Sequence, residues 1–266
     1  MLPIALTIAG SDSGGGAGIQ ADIKTFQAFG VFGTTSITAL TAQNTLGVTG
    51  IHSVPPEMVY EQIEVVATDL KPSASKTGML ATDELVSTVA RAIRDFGLEN
   101  YVLDPVMVAT TGARLLDAKA EGAILTELLP LATLVTPNLD EAAVMVGRPV
   151  EDEETMREVA AELIERGPRA VLVKGGHLEA PEVVDILYDG EEFYSWRRPK
   201  ISTTNTHGTG CTLAAAITAG LAHGRPLVEA VAAGLDFVHR AILSAPELGS
   251  GHGPLNHFVE AGGRKR

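Results

Sequence analysis

Most of this chain is divided by short strand-like runs, most of them apolar, that end in glycine or a polar side chain, and nearly all are followed by a segment of helical period. The runs are Leu2 to Ala9, Val31 to Ala42, Ser73 to Met79, Tyr101 to Met107, Leu134 to Thr136 and Ala170 to His177. Strands joined through helices pair in parallel and need cover on both faces. The pattern therefore constrains the fold to an α/β sheet between two helical layers. In the first helix, from about Ala17 to Phe29, the residues Ile19, Ile23 and Phe26 mark the buried side, with Asp22 near its edge. Val31 to Ala42 reads as a strand approaching full burial. A further helix is predicted over about 118–129. Late in the chain the pattern changes: Val183 to Tyr188 and Glu191 to Trp196 flank Asp189-Gly190, which signals a hairpin and antiparallel strands at one sheet edge.

The chemistry-bearing residues cluster at the ends of those runs. In open α/β sheets, ligands bind outside the carboxyl ends of the strands. The first run ends in Gly10-Ser11-Asp12-Ser13-Gly14-Gly15-Gly16-Ala17-Gly18. That stretch is either a phosphate loop or a plain tight turn, and it fits neither the P-loop nor the dinucleotide fingerprint. The second ends in Gln43-Asn44, amides that can read a heterocycle or cap a turn. Asp104 ends another strand. Asn138 and Glu141 share the first turn of the next helix, as a capping box, as holders of a metal-bound water, or as both. Lys174 is either a phosphate contact or a solvated strand end. Asn205-Thr206-His207-Gly208-Thr209-Gly210-Cys211 runs straight into a helix of small residues. Its glycines, the free N–H groups of the first turn and the helix dipole make an anion site there, most simply for phosphate. Thr111-Gly112-Ala113-Arg114-Leu115 reads as a surface loop or lid.

Composition narrows the class. Hydrophobic residues make up 45% and charged residues 20% of the 266, a globular balance. A net charge of −13 leaves no basic surplus for a nucleic-acid partner, though it allows a local basic pocket. The lone cysteine, Cys211, excludes an internal disulfide and suits a reducing cytoplasm. No apolar run has membrane-spanning length, and no basic segment precedes the first strand, so neither a membrane span nor a signal peptide is expected. Without a repeat or a linker-like shift, residues 1–266 are expected to form one domain.

Several blocks together resemble the bifunctional hydroxymethylpyrimidine kinase/phosphomethylpyrimidine kinases of thiamine biosynthesis, within the ribokinase-like superfamily. They are Ala9 to Asp22, Ile37 to Thr45, Leu103 to Met107, Thr136 to Glu141, Val173 to His177 and Asn205 to Thr212. The Thr41-Ala42-Gln43-Asn44-Thr45 and Asn205 to Cys211 blocks are the specific ones. One departure is Thr77, where the family commonly has isoleucine before Gly78-Met79-Leu80. The resemblance implies a three-layer α/β/α sandwich with a mostly parallel sheet and antiparallel edge strands. It implies transfer of the γ-phosphate of ATP to 4-amino-5-hydroxymethyl-2-methylpyrimidine and then to its monophosphate, with Mg²⁺, in a homodimer.

Residue by residue, it implies that Gln43 bonds the pyrimidine edge, with Asp22, Gly10, Met79 and Met107 lining the same pocket. Asp104 and Glu141 would hold Mg²⁺, Glu141 through water. Asn138, Lys174, Thr206 and Gly208 would contact the nucleotide, and the N–H groups of Gly208, Gly210 and Cys211 the phosphoryl in transfer. Many ribokinase-like sugar kinases place an aspartate base at the position of Cys211. A helix N-terminus can lower a thiol pKa from about 8.5 toward neutral, which would let the sulfur take the alcohol proton. The alternative is that only its backbone N–H matters. Rival readings are a pyridoxal kinase of the same superfamily and a non-catalytic pyrimidine- or nucleotide-binding module.

Overall fold

A computed structural model describes residues 2–107, 118–176 and 180–262. Its strands are β1 (Ile4–Asp12), β2 (Phe32–Asn44), β3 (Gly47–Ser53), β4 (Ala74–Thr77), β5 (Tyr101–Leu103), β6 (Leu134–Val135), β7 (Val171–Val173), β8 (Glu182–Tyr188) and β9 (Phe193–Pro199). They form one sheet in the order β3-β2-β1-β4-β5-β6-β7-β8-β9. The run from β2 to β7 is parallel, and β3, β8 and β9 join antiparallel at the two edges. The expected mostly parallel sheet with antiparallel edges is the observed one.

The helices are α1 (Gly18–Ala28), α2 (Pro56–Asp69), α3 (Asp83–Asp95), α4 (Ala118–Ala123), α5 (Leu139–Val146), α6 (Glu153–Ile164), α7 (Thr209–Ala222) and α8 (Leu227–Leu243). Alternate strand residues feed two cores. Leu6, Leu103 and Val135 pack with α2 to α6 on one face, while Ala5, Val102 and Leu134 pack with α1, α7 and α8 on the other. This period of two explains why β5, β6 and β7 are apolar throughout: both of their faces are covered. No helix among the described residues is long and apolar enough to cross a membrane.

Four expectations need correction. The outer half of β2 is not buried; Leu40 is 49% exposed, and the strand folds back through Asn44 into β3, an edge strand the sequence reading missed. The alternation in Gly47–Ser53 carries no apolar face to mark it, since this strand buries nothing fully. In α1 the roles of two neighbours are exchanged: Ile23 is 37% exposed, whereas Asp22 is fully buried against a partner from another strand. The helix predicted over about 118–129 is α-helical only to Ala123. It then widens into a π turn and closes as a 3₁₀ turn at Leu129–Leu131, where Pro130 has no N–H to continue the ladder. The hairpin turn is longer than Asp189-Gly190 alone, with the Asp189 carboxylate accepting from the N–H groups of Glu191 and Glu192. Thr111 to Leu115 lie outside the described residues.

Candidate active site

The carboxyl ends of β1, β4, β5, β6 and β7 open on one cleft of about 770 Å³. Nearly all the residues singled out above line it: Gly10, Gln43, Met79, Asp104, Met107, Asn138, Glu141, Lys174, Thr206, Gly208, Gly210 and Cys211. Asp22 does not. Its carboxylate lies behind the wall, 2.9 Å from Lys76 Nζ and 2.6 Å from Thr7 Oγ1, with both charged side chains at zero exposure. An α1 residue facing the sheet meets the ammonium of β4 before it can reach the cleft. Burial pushes the Asp22 carboxyl up. Burial works most strongly on Lys76 and would lower it, but Asp22, Cys211 and Asp104 together outweigh burial and hold Lys76 above its usual range.

At the centre of the cleft, Lys174 Nζ lies 3.4 Å from Asp104 Oδ1 and 3.8 Å from Glu141 Oε2. Lys174 is thus a cleft residue and not a solvated strand end. It is positioned by its N–H bond to the Pro137 carbonyl at 2.9 Å. Asn138 and Glu141 form the expected reciprocal capping box, each bond 2.8 Å. Asp104 Oδ2 is buried and has no hydrogen-bond partner among the described residues. Burial raises the Glu141 pKa to about 7, against the attraction of Lys174 and with the repulsion of Asp104. A buried, unpaired carboxylate oxygen is costly unless something meets it. Mg²⁺ takes oxygen ligands from one or two carboxylates and completes its shell with phosphates and water, so Asp104 and Glu141 fit that ion. Among the described residues, no three His, Cys, Asp or Glu side chains form an all-protein cage.

The anion loop meets this cluster from the opposite wall. Gly208 caps α7 with φ +83°, and a Cβ there would collide with the Gly16 carbonyl. A Cβ on Gly210 would stand 3.3 Å from Lys174 Nζ and 3.7 Å from both Asp104 oxygens. The glycine therefore leaves room between the helix start and the charges. Cys211 keeps some surface on the cleft, yet its sulfur is enclosed enough that burial pushes the thiol up to about 12. The Lys76 ammonium and the Gly18 N–H pull it down, but do not prevail. The lowering that a helix start alone predicts is thus reversed by desolvation.

Two cleft residues escaped the sequence reading. Asp12 Oδ1 accepts from the Gly14 N–H at 2.8 Å, and its Oδ2 from those of Gly16 and Ala17 at 3.0 and 2.8 Å. His207 Nε2 lies 2.9 Å from the same Oδ2. Burial tends to raise the Asp12 pKa, but His207 and the backbone donors outweigh it and hold it below its usual range. Both stand in stretches already singled out, Asp12 in the glycine cluster and His207 in the anion loop. Their pairing across 195 positions carried no such signal. Asp185 and Arg198 also line the cleft, with Asp185 Oδ1 3.2 Å from the Gly175 N–H that follows Lys174.

A family model described as phosphomethylpyrimidine kinase matches residues 12–256. The chain is 52% identical over 261 residues to the hydroxymethylpyrimidine/phosphomethylpyrimidine kinase of Rhizobium meliloti, covering 97% of this chain and 98% of that one. Among solved structures, it is similar to an ADP complex of Bacillus subtilis pyridoxal kinase, at 37% identity and TM-score 0.89, over 97% of this chain and 98% of that one. It is also similar to a phosphomethylpyrimidine kinase from Clostridium difficile 630, at 40% identity and TM-score 0.82, over 90% and 99%.

Proposed function

The chain belongs to the phosphomethylpyrimidine kinase family and is an ATP-dependent hydroxymethylpyrimidine/phosphomethylpyrimidine kinase of thiamine biosynthesis, and from that premise we propose how its cleft does the work. The observation that carries the proposal is the convergence of Lys174, the unpaired Asp104 oxygen and the start of α7 on one point. Phosphoryl transfer asks for positioning and charge neutralisation more than for covalent help. The N–H groups of Gly208, Gly210 and Cys211 meet the charge that grows on the transferring phosphoryl, because their direction is fixed before the reaction begins. Lys174, with Asn138 and Thr206, holds the nucleotide phosphates. Asp104 would hold Mg²⁺ directly and Glu141 would hold it through water, and what the ion would supply there is neutralisation of the phosphate charge. Gln43 bonds the pyrimidine edge, and Gly10, Met79 and Met107 shape the apolar remainder of that end.

The first transfer also needs a destination for the alcohol proton. With its thiol near 12, Cys211 carries no standing thiolate, so its N–H is the contribution counted first. A role for the sulfur as base is favoured by Lys76 and the Gly18 N–H, which both act on it in the required direction. The second transfer attacks with a phosphate oxygen and needs no strong base. Cys211→Ala should therefore slow the first step more than the second if the sulfur takes the proton; equal losses at matched pH leave only the N–H. We propose further that residues 1–266 act as one domain, in a cytoplasmic homodimer. The decisive assay runs the hydroxymethylpyrimidine, its monophosphate and pyridoxal side by side with Mg-ATP. Turnover of both pyrimidines is expected to exceed that of pyridoxal. Comparable turnover of pyridoxal would revive the vitamin B6 reading, and no turnover at all would favour a binding module.

A further inference from the structure

Three polar side chains at the substrate end of the cleft share too few protons to be arranged freely. Asp12 accepts from the backbone through both oxygens and is held ionised. The proton between Asp12 and His207 therefore belongs to His207 Nε2. His207 Nδ1 is buried without a partner among the described residues. One amide end of Gln43 lies 3.2 Å from that same Nε2. An NH2 group there would set donor against donor. The other amide end lies 3.2 Å from Thr41 Oγ1. The single hydroxyl proton of Thr41 has two acceptors, the Ser11 carbonyl at 2.9 Å and the Gln43 oxygen; given to the closer one, it leaves Thr41 Oγ1 to accept from Gln43. Amide oxygen and nitrogen are told apart by such partners. The structure sets the amide nitrogen of Gln43 toward His207 and its oxygen toward Thr41; exchanging the two relieves both contacts, so that the carbonyl shares the His207 Nε2 proton with Asp12 and the NH2 donates to Thr41.

We infer that His207, itself oriented by Asp12, is a specificity-determining positioning residue that locks the amide of Gln43 in one orientation. The inference rests on the reading that Gln43 bonds the pyrimidine. A locked amide offers one remaining N–H and one remaining lone pair in a fixed order. A 4-aminopyrimidine edge supplies the complement, a ring nitrogen that accepts beside an amine that donates. A 4-oxopyrimidine presents the reverse, a ring N–H beside a carbonyl, and a free amide could simply rotate to meet it. The lock is thus what makes the 4-amino group matter, because a buried mismatch leaves polar groups unpaired.

The test compares kcat/KM for the 4-amino substrate and its 4-oxo analogue, with Mg-ATP saturating. The native enzyme is expected to prefer the amine by at least about 10²-fold. His207→Leu should bring the ratio to within about tenfold of unity, and His207→Gln, which restores a donor, should recover most of it. Thr41→Val releases the other end, at the cost of one bond to the Ser11 carbonyl, and should lower the ratio in the same direction. A His207 that merely braces the loop would slow both substrates equally and leave the ratio intact, and that result overturns the inference even where Gln43→Ala abolishes the preference. If Gln43→Ala leaves the ratio unchanged, the reading of Gln43 itself fails, and the lock with it.

Discussion

Among the described residues, two buried lysine–carboxylate clusters belong to one sheet, Lys76 on β4 and Lys174 at the end of β7, and they are built to opposite standards. Around Lys76 everything is closed: Nζ to Asp22 Oδ1 at 2.9 Å, Thr7 on the other oxygen at 2.6 Å, no exposure on either charged side chain. Around Lys174 everything is loose: 3.4 Å to Asp104, 3.8 Å to Glu141, one carboxylate oxygen with no partner, and an open cleft above. A buried pair recovers its desolvation cost only through close geometry and full hydrogen bonding. The Lys76 cluster meets that condition, whereas the Lys174 cluster awaits charge from elsewhere. The difference separates a brace from a binding site without reference to any relative.

The largest effect that could break this comparison is at Lys76. Lys76→Met strands the Asp22 carboxylate in a dry core, and removing one member of such a pair costs about 3–5 kcal/mol. Urea unfolding should show that loss, and adding Asp22→Leu should restore most of it. A single variant as stable as the native chain would mean that Lys76 is no brace. At Lys174 the expectation is inverted. Lys174→Met should leave unfolding within roughly 1 kcal/mol, since Asp104 and Glu141 still face the cleft, and should cut kcat by about 10²–10³ through the lost charge. A variant that is chiefly unstable, and active in proportion to what remains folded, would put both clusters in one class.

A third effect separates them by pH. The Glu141 carboxyl is raised from 4.5 to about 7, burial being the main cause. Between those values the folded chain keeps a proton that the unfolded chain has lost, so stability falls as pH rises through the window. Glu141→Gln should flatten that fall, by an amount on the order of 2–3 kcal/mol in denaturation curves without nucleotide. A wild-type slope that Glu141→Gln leaves unchanged would place the titrating group elsewhere.

The loose cluster was legible in the sequence and the tight one was not, for a physical reason. Asp104, Asn138 and Lys174 each end a strand or start a helix, and parallel pairing carries all such ends to one edge. Their convergence follows from the element pattern. The Asp22–Lys76 pair depends instead on β4 lying beside β1 and on which side of α1 meets the sheet, and Ile23 beside Asp22 pointed the other way. Asp12 and His207 needed contact across nearly the whole chain. For Cys211, the sequence showed the helix start but not the enclosure that reverses its effect on the thiol.

The smallest effect sharpens the comparison most finely. Thr7→Val removes only the hydroxyl that completes the shell of Asp22 and keeps the shape of the side chain. A hydrogen bond to a charged group contributes roughly 1.5–3 kcal/mol, and the Lys76 bond that remains should hold the loss at the low end. KM for both substrates should stay within about twofold, because neither Thr7 nor Asp22 lines the cleft and the Lys76 charge is kept. If closure is what makes this cluster a brace, stability must drop while catalysis does not. A kinetic change without a stability change would show that the Asp22–Lys76 pair communicates with the cleft through Cys211, on which Lys76 already acts, and the division between the two clusters would have to be redrawn there.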